Sequence, residues 1–280
     1  MVYSTDISRE NPTCFLFLID QSGSMNDGWS GNPDKKKSEE VARTINRCIQ
    51  NLVLKCSKDK GIRDYFHIGV MGYNNEHIGS ALKNFDPERD LIPISELAIK
   101  PLKIDSESRK IMSQDGNMVE EQVKLPIWVV PIARGGTPMC AALQLAESIV
   151  AGWVTNHQKS FPPIVFNITD GESTDGSPIL PAQRVKKIGT DDGATLLFNI
   201  HISSTVSDPI IYPRDPDALP DDYARQLYAM SSHFPPTMLE YAKSLGHPIT
   251  DKTRGYIFNA DISSFSEFLD IGTRPANMKG

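Results

Sequence analysis

Several absences narrow the chain before any motif is read. Across 280 residues there is no excess of basic charge: 29 Lys and Arg against 35 Asp and Glu leave a formal net charge of −6. That balance lacks the electrostatic footprint that drives binding to a nucleic-acid backbone, so no nucleic-acid partner is expected. No apolar run approaches the ~20 residues needed to cross a bilayer. The polar opening MVYSTDISRENPT has no charged start followed by an apolar core, so no secretory signal and no membrane partner are expected, and the expected location is cytoplasmic. Cysteine is sparse. Cys14, Cys48, Cys56 and Cys140 form no CxxC pair and have no His at zinc spacing, which leaves buried or half-buried free thiols that ligate no metal as the expectation. Neither serine of DQSGSM is framed as GxSxG, and the one Gly-Gly-Thr loop lacks the Lys and the spacing of a phosphate-binding P-loop.

What is present is ordinary for a folded α/β protein, with 39% hydrophobic and 23% charged residues. Apolar runs of strand length at 15–20, 65–73, 163–169, 194–202 and 255–259 alternate with segments of helical periodicity at 38–56, after Thr137, and at 181–188, 221–230, 236–245 and 261–271. Ser38 is the expected N-cap of the first helix, Pro138 the first residue of the second and Asp261 the cap of the last. Alternation of this kind predicts one α/β domain over 1–280, doubly wound, with a mostly parallel sheet covered by helices on both faces. Two segments break the rhythm. Residues 80–131 contain an expected hairpin turning at Asp115-Gly116, read as an insertion at the sheet edge. A Pro- and Asp-rich stretch, about 203–222, is expected to be a surface loop.

The chemistry concentrates in three segments. FLFLIDQSGSM (15–25) ends a buried strand in Asp20, then offers Ser22 and Ser24 on a Gly-containing turn. RGGTPMCAAL (134–143) supplies Thr137 from a Gly-Gly loop opening a helix, and IVFNITDGESTDG (164–176) ends a second strand at Asp170. Hard oxygen donors of this kind suit Mg²⁺ or Mn²⁺ far better than a soft metal. In an open α/β sheet, ligands gather outside the carboxyl ends of strands where strand order reverses, so the site requires the strands ending at Asp20 and Asp170 to be neighbours. Asp27, Glu172 and Asp175 read as surface turn residues near the rim, and the Lys35–Lys37 run as a solvated helix start. His67 and His201 read as core histidines.

DQSGS, the Gly-Gly-Thr loop and ITDG, in that order, resemble the metal-ion-dependent adhesion site of von Willebrand factor type A domains, which integrin inserted domains also carry. The segment GYIFNADISSFSEFLDIGTRPA (255–276) is similar to the end of a bacterial intracellular group of that family. The resemblance implies metal ligation by Asp20, Ser22, Ser24, Thr137 and Asp170, with the serines direct, Thr137 direct or through water, and the carboxylates partly through water. It also implies a place beside a protein kinase or a Ser/Thr phosphatase in a stress, conflict or signalling system, and coupling of the metal to movement of the final helix.

The expected function is therefore a non-catalytic, metal-dependent protein-interaction module. With only two carboxylates among the five oxygen donors and a coordination position left open, an Asp or Glu of a protein partner is expected to complete the shell. The competing class is a Mg²⁺-dependent phosphatase of the haloacid dehalogenase kind, which needs a second Asp two residues after the first; Ser22 stands there instead. A third reading is a scaffold that binds through its hairpin and Pro/Asp loop independently of metal.

Overall fold

The computed structural model describes residues 3–30, 32–59, 61–112, 118–204 and 207–273. In chain order the elements are β1 (Thr13–Asp20), β2 (Gly28–Trp29), β3 (Asn32–Lys36), α1 (Lys37–Cys56), β4 (Ser57–Lys58), β5 (Gly61–Ile62), β6 (Phe66–Tyr73), β7 (Ile78–Ser80), β8 (Ile92–Pro93), α2 (Ile94–Ile99), β9 (Lys103–Met112) and β10 (Met118–Ile127). There follow α3 (Met139–Asn156), β11 (Ile164–Thr169), α4 (Ile179–Lys187), β12 (Gly189–Thr190), β13 (Gly193–Ala194), β14 (Leu196–His201), β15 (Ile210–Ile211), α5 (Asp222–Met230), α6 (Pro236–Ser244), β16 (Tyr256–Phe258) and α7 (Ile262–Gly272).

The main sheet runs β15-β16-β14-β11-β1-β6-β7, with β8 also paired to β6. The inner pairs are parallel, and β7, β8 and β15 join antiparallel at the two edges. From β1 the chain moves to β6 on one side and later returns to β11 on the other, so strand order reverses at β1. This is the doubly wound, mostly parallel sheet that the alternation predicts.

The unbroken apolar run of β1 follows from burial on both faces. Phe15, Phe17 and Ile19 share one core with Val41, Ile45 and Ile49 of α1 and with Phe265 and Phe268 of α7. Cys14, Leu16 and Leu18 point the other way, into a core with Leu143 and Val150 of α3, Val185 of α4 and Leu227 of α5. A polar ladder crosses the second face. The Tyr73 hydroxyl donates to Asn167 Oδ1 (3.0 Å), Asn167 Nδ2 to Asn199 Oδ1 (3.0 Å) and Asn199 Nδ2 to Ser231 Oγ (2.9 Å). Both asparagines are fully buried, so each donor needs the next acceptor.

Four expectations are corrected. The hairpin β9–β10 exists, with Lys103 opposite Ile127 and Met112 opposite Met118, but it forms its own two-stranded sheet. The short strands β7 and β8 already pair with that side of β6, and the hairpin is anchored on α1 instead. There Asn46 Oδ1 accepts from the Trp128 and Val129 amides at 2.8 and 3.0 Å while its Nδ2 donates to the Val129 carbonyl at 2.8 Å. The Asp115-Gly116 turn lies outside the described residues, as does the end of the resembling segment from Arg274. The Pro/Asp stretch is not all loop, because Ile210 and Ile211 form the β15 edge, pairing with Phe258 and Ile257. Ser38 is no cap: β3 runs straight into α1, leaving Lys36 at the N-cap with extended backbone and Ser38 buried in the first turn. Pro138 stands at the N-cap of α3, one residue ahead of its expected place. Asp261 does cap α7, accepting from the Ser264 amide at 2.7 Å. All four cysteines are buried and free. Among the described residues no helix is long and apolar enough to cross a membrane.

Replacing Asn167 with Leu strands the Tyr73 hydroxyl and the Asn199 amide in the core. The variant is expected to lose at least about 2 kcal/mol of unfolding free energy in urea titration, since each of the two orphaned buried groups costs about 1–3 kcal/mol. Wild-type stability in Asn167→Leu would show that the ladder carries no weight.

Candidate metal centre

β1 and β11 are direct neighbours in register, Ile19 opposite Ile168, so the two strands deliver Asp20 and Asp170 to the same crevice at the switch point. Asp20 is 1% exposed. Its Oδ1 accepts from the Ser22 amide at 2.8 Å and its Oδ2 from the Thr169 hydroxyl at 2.7 Å. The Ser22 and Ser24 hydroxyls lie 3.0 Å apart, with Ser22 buried and Ser24 open to solvent. Met25, fully buried in the α1-side core, pins the short turn that carries them.

The Gly-Gly-Thr loop docks on this turn through backbone bonds. Gly23 N–H donates to the Gly135 carbonyl (2.8 Å) and Arg134 N–H to the Gln21 carbonyl (2.8 Å). Gly135 has φ +73°, and a Cβ there would sit 1.8 Å from Asn75 Oδ1, so only glycine fits. Thr137 is buried and exchanges two bonds with Thr174, donating its amide to Thr174 Oγ1 (3.0 Å) and accepting the Thr174 amide on its carbonyl (2.9 Å). The three loops that carry the five predicted residues thus form one hydrogen-bonded cluster.

Several partners were not legible beforehand. Thr169, one residue ahead of Asp170, fixes the Asp20 carboxylate and also accepts the Gly171 amide at 3.1 Å. Asp175 is a helix cap in trans: its two carboxylate oxygens accept the Cys140 and Ala141 amides, each at 2.9 Å. Burial opposes its ionisation, but those amide bonds outweigh burial and hold the carboxyl below its usual range. His201, buried at the end of β14, has its Nε2 3.1 Å from the Asp170 carbonyl and its Nδ1 3.2 Å from the Tyr256 hydroxyl. The reading of the lysine run as solvated fails for Lys37. Lys35 and Lys36 are exposed, whereas Lys37 is 1% exposed and its ammonium donates to Asp170 Oδ2 (2.9 Å) and Ser204 Oγ (2.8 Å).

The two carboxylates therefore differ. Asp170 has an internal cation, while Asp20 is held only by neutral donors, with no Lys, Arg or His within 4 Å among the described residues. Burial, followed by the nearby Asp170 charge, raises the Asp20 carboxyl to about 6 despite its hydrogen bonds. A buried carboxylate without a countercharge is costly, and the oxygens around it are of the type a hard divalent cation takes. The donor set fits Mg²⁺ or Mn²⁺ in kind. Among the described residues no three or more His, Cys, Asp or Glu gather around a metal position, so any ligation here leans on hydroxyls.

No family model matches the chain, and no curated protein matches it in sequence. The solved structures that are similar in part include two of one pilus protein. One holds three N-terminal domains of the type V pili tip protein Mfa5 from Porphyromonas gingivalis, at 16% identity and a TM-score of 0.32 over 58% of this chain and 20% of that one. The other is the vWF domain of the same pilus protein, at 16% identity and a TM-score of 0.31 over 58% of this chain and 39% of that one. The fold described above rests on the strand order of this chain itself.

The raised Asp20 carboxyl has a consequence for metal-free protein. A carboxyl that binds its proton more tightly when folded stabilises the fold below about pH 4, and that contribution is lost as pH rises toward 6. Thermal melts in chelator are expected to show wild type falling relative to Asp20→Asn across that window, with Mg²⁺ restoring wild type alone. Parallel pH profiles for the two proteins would mean that Asp20 is not the stressed group.

Proposed function

We propose that the chain is a metal-dependent protein-interaction module of the von Willebrand factor A type, in which Asp20, Ser22, Ser24, Thr137 and Asp170 hold Mg²⁺ or Mn²⁺ and a partner protein presents an Asp or Glu to it. The observation that carries this reading is the buried Asp20 carboxylate, held by the Ser22 amide and the Thr169 hydroxyl, with no Lys, Arg or His within 4 Å among the described residues. The bound metal would supply a coordination position for a carboxylate oxygen.

Lys37 sharpens the reading. Because its ammonium already neutralises Asp170, a divalent ion meets one uncompensated carboxylate charge, and the loaded site stays positive overall. That favours an anionic side chain over water or a neutral donor. The exposed position of Ser24 keeps part of the turn open to such a partner. Ser22 stands where phosphoryl chemistry of the dehalogenase kind needs its second carboxylate, so we assign no catalysis; a Mg²⁺-dependent phosphatase screen tests that assignment. The resemblance to a bacterial intracellular group supports a role in stress, conflict or signalling assemblies with a kinase or Ser/Thr phosphatase. Four unpaired thiols agree with the reducing cytoplasm that such a role needs.

Lys37 also favours a second reading, in which it serves as the permanent cation of Asp170 and the loops bind a partner without metal. Chelation separates the two: a partner captured in Mg²⁺ is expected to be released by EDTA, and retention would support the loops. Asp20→Ala is expected to abolish both Mg²⁺ binding in calorimetry and partner capture. Lys37→Met, assayed at saturating metal, is expected to bind Mn²⁺ more tightly yet hold the acidic partner about 10-fold less well, roughly 1.4 kcal/mol. Equal partner affinity in Lys37→Met would remove the charge argument.

A further inference from the structure

At the opposite end of the sheet from Asp20, the amino end of β14 borders a cleft of about 530 Å³ whose walls include Tyr3, Lys186, Thr195, Ser232, His233 and Arg254. The basic side chains come from separate parts of the chain: Lys186 from α4, His233 from the segment after α5, and Arg254 from the approach to β16. The last two are drawn together by an antiparallel bridge between their backbones. In a chain of net charge −6, three basic side chains on one cleft stand out chiefly for what does not accompany them. Among the described residues neither Lys186 nor Arg254 has a carboxylate within 4 Å. Lys186 donates to the Met230 carbonyl at 2.7 Å, and Arg254 donates to the next one, Ser231.

Those bonds place both cations side by side at the C-terminal end of α5, where the helix carbonyls favour positive charge. Capping accounts for one N–H of each. It leaves two of the three donors of an ammonium and four of the five donors of a guanidinium uncommitted to the helix end. The Tyr228 ring stacks under the Arg254 guanidinium, with its central carbon 5.4 Å from the ring centre, and holds it in place. The groups also repel one another. Burial first, and then Arg254, lowers the Lys186 ammonium from its usual range; burial, Arg254 and Lys186 lower His233, with Asp251 acting weakly the other way.

Two hydroxyls complete the wall. Ser232 Oγ accepts the Leu197 amide at 3.0 Å, which leaves its proton to give. The Thr195 hydroxyl, on a residue 1% exposed, has no hydrogen-bond partner among the described residues. A dianion with several oxygens relieves the mutual repulsion and engages the fork of an arginine, the point charge of a lysine and hydroxyl donors together.

We propose that this cleft binds a phosphate monoester through Lys186, Arg254 and Ser232. The site is independent of the metal centre: the six residues of β14 put roughly 20 Å of strand between the two ends of the sheet.

The test is a titration of the full ¹⁵N-labelled chain with inorganic phosphate at constant ionic strength, followed by amide NMR shifts. Saturable shifts at Thr195, Ser232, His233 and Arg254 are expected, weakened at least about 10-fold in Arg254→Gln and in Lys186→Gln and unchanged in Lys83→Gln. Melting temperature checks that each variant folds, and the wild-type titration stands without them. Shifts that stay linear in phosphate, or that are equal in all four proteins, would overturn the site. A phosphoserine peptide, its unphosphorylated form and inorganic phosphate then separate the sources. Tighter binding of the phosphopeptide than of phosphate identifies a modified protein side chain, and equal binding identifies a free phosphate-bearing molecule.

Discussion

The constraint on which the rest depends is a carboxylate charge kept out of water at the end of a doubly buried strand. Asp20 ends β1, whose side chains pack against α1 and α7 on one face and α3, α4 and α5 on the other. Such a strand cannot bend its last residue toward solvent, so the protein brings polar groups to it. The Ser22 amide and the Thr169 hydroxyl arrive from the turn and from the next strand, and the Gly-Gly-Thr loop is bonded to the same turn at Gly23. The loops are arranged around one electrostatic debt.

Asp170 meets the same difficulty differently. Lys37, the first residue of α1, reaches it and also bonds Ser204 beyond β14. The position of α1 is thereby tied to the charge state of the crevice, and the hairpin β9–β10 is tied to α1 through Asn46. The hairpin that exceeds a plain doubly wound sheet is joined to the site through one helix.

The central strands, and the three loops that carry the five oxygen-bearing residues, were legible because each announces itself locally. A buried strand is a continuous apolar run, and Asp20 and Asp170 end two of them. What escaped notice was decided by distance in sequence. Lys37 follows two exposed lysines and differs from them only because β3 runs unbroken into α1. Asp175 caps a helix that starts 36 residues earlier, as its bonds to Cys140 and Ala141 show, so no local pattern marks it. Edge strands of two or three residues, such as Ile92–Pro93 and Ile210–Ile211, carry too little periodicity to read. Their absence from the sequence reading put the hairpin at an edge that was already occupied.

The pairing of β1 with β11 also bears on how the molecule comes into being. Ile19 meets Ile168 only after the intervening chain has been laid down and looped back, and that closure carries a large entropic cost. Until then one flank of the buried, largely apolar β1 is an open hydrogen-bonding edge, which is where non-native pairing and aggregation begin. The five residues proposed to hold the metal are split across the same late junction. No fragment ending before Thr169 has the crevice, so an ion bound as proposed would act in folding as a seal on the finished sheet and not as its nucleus.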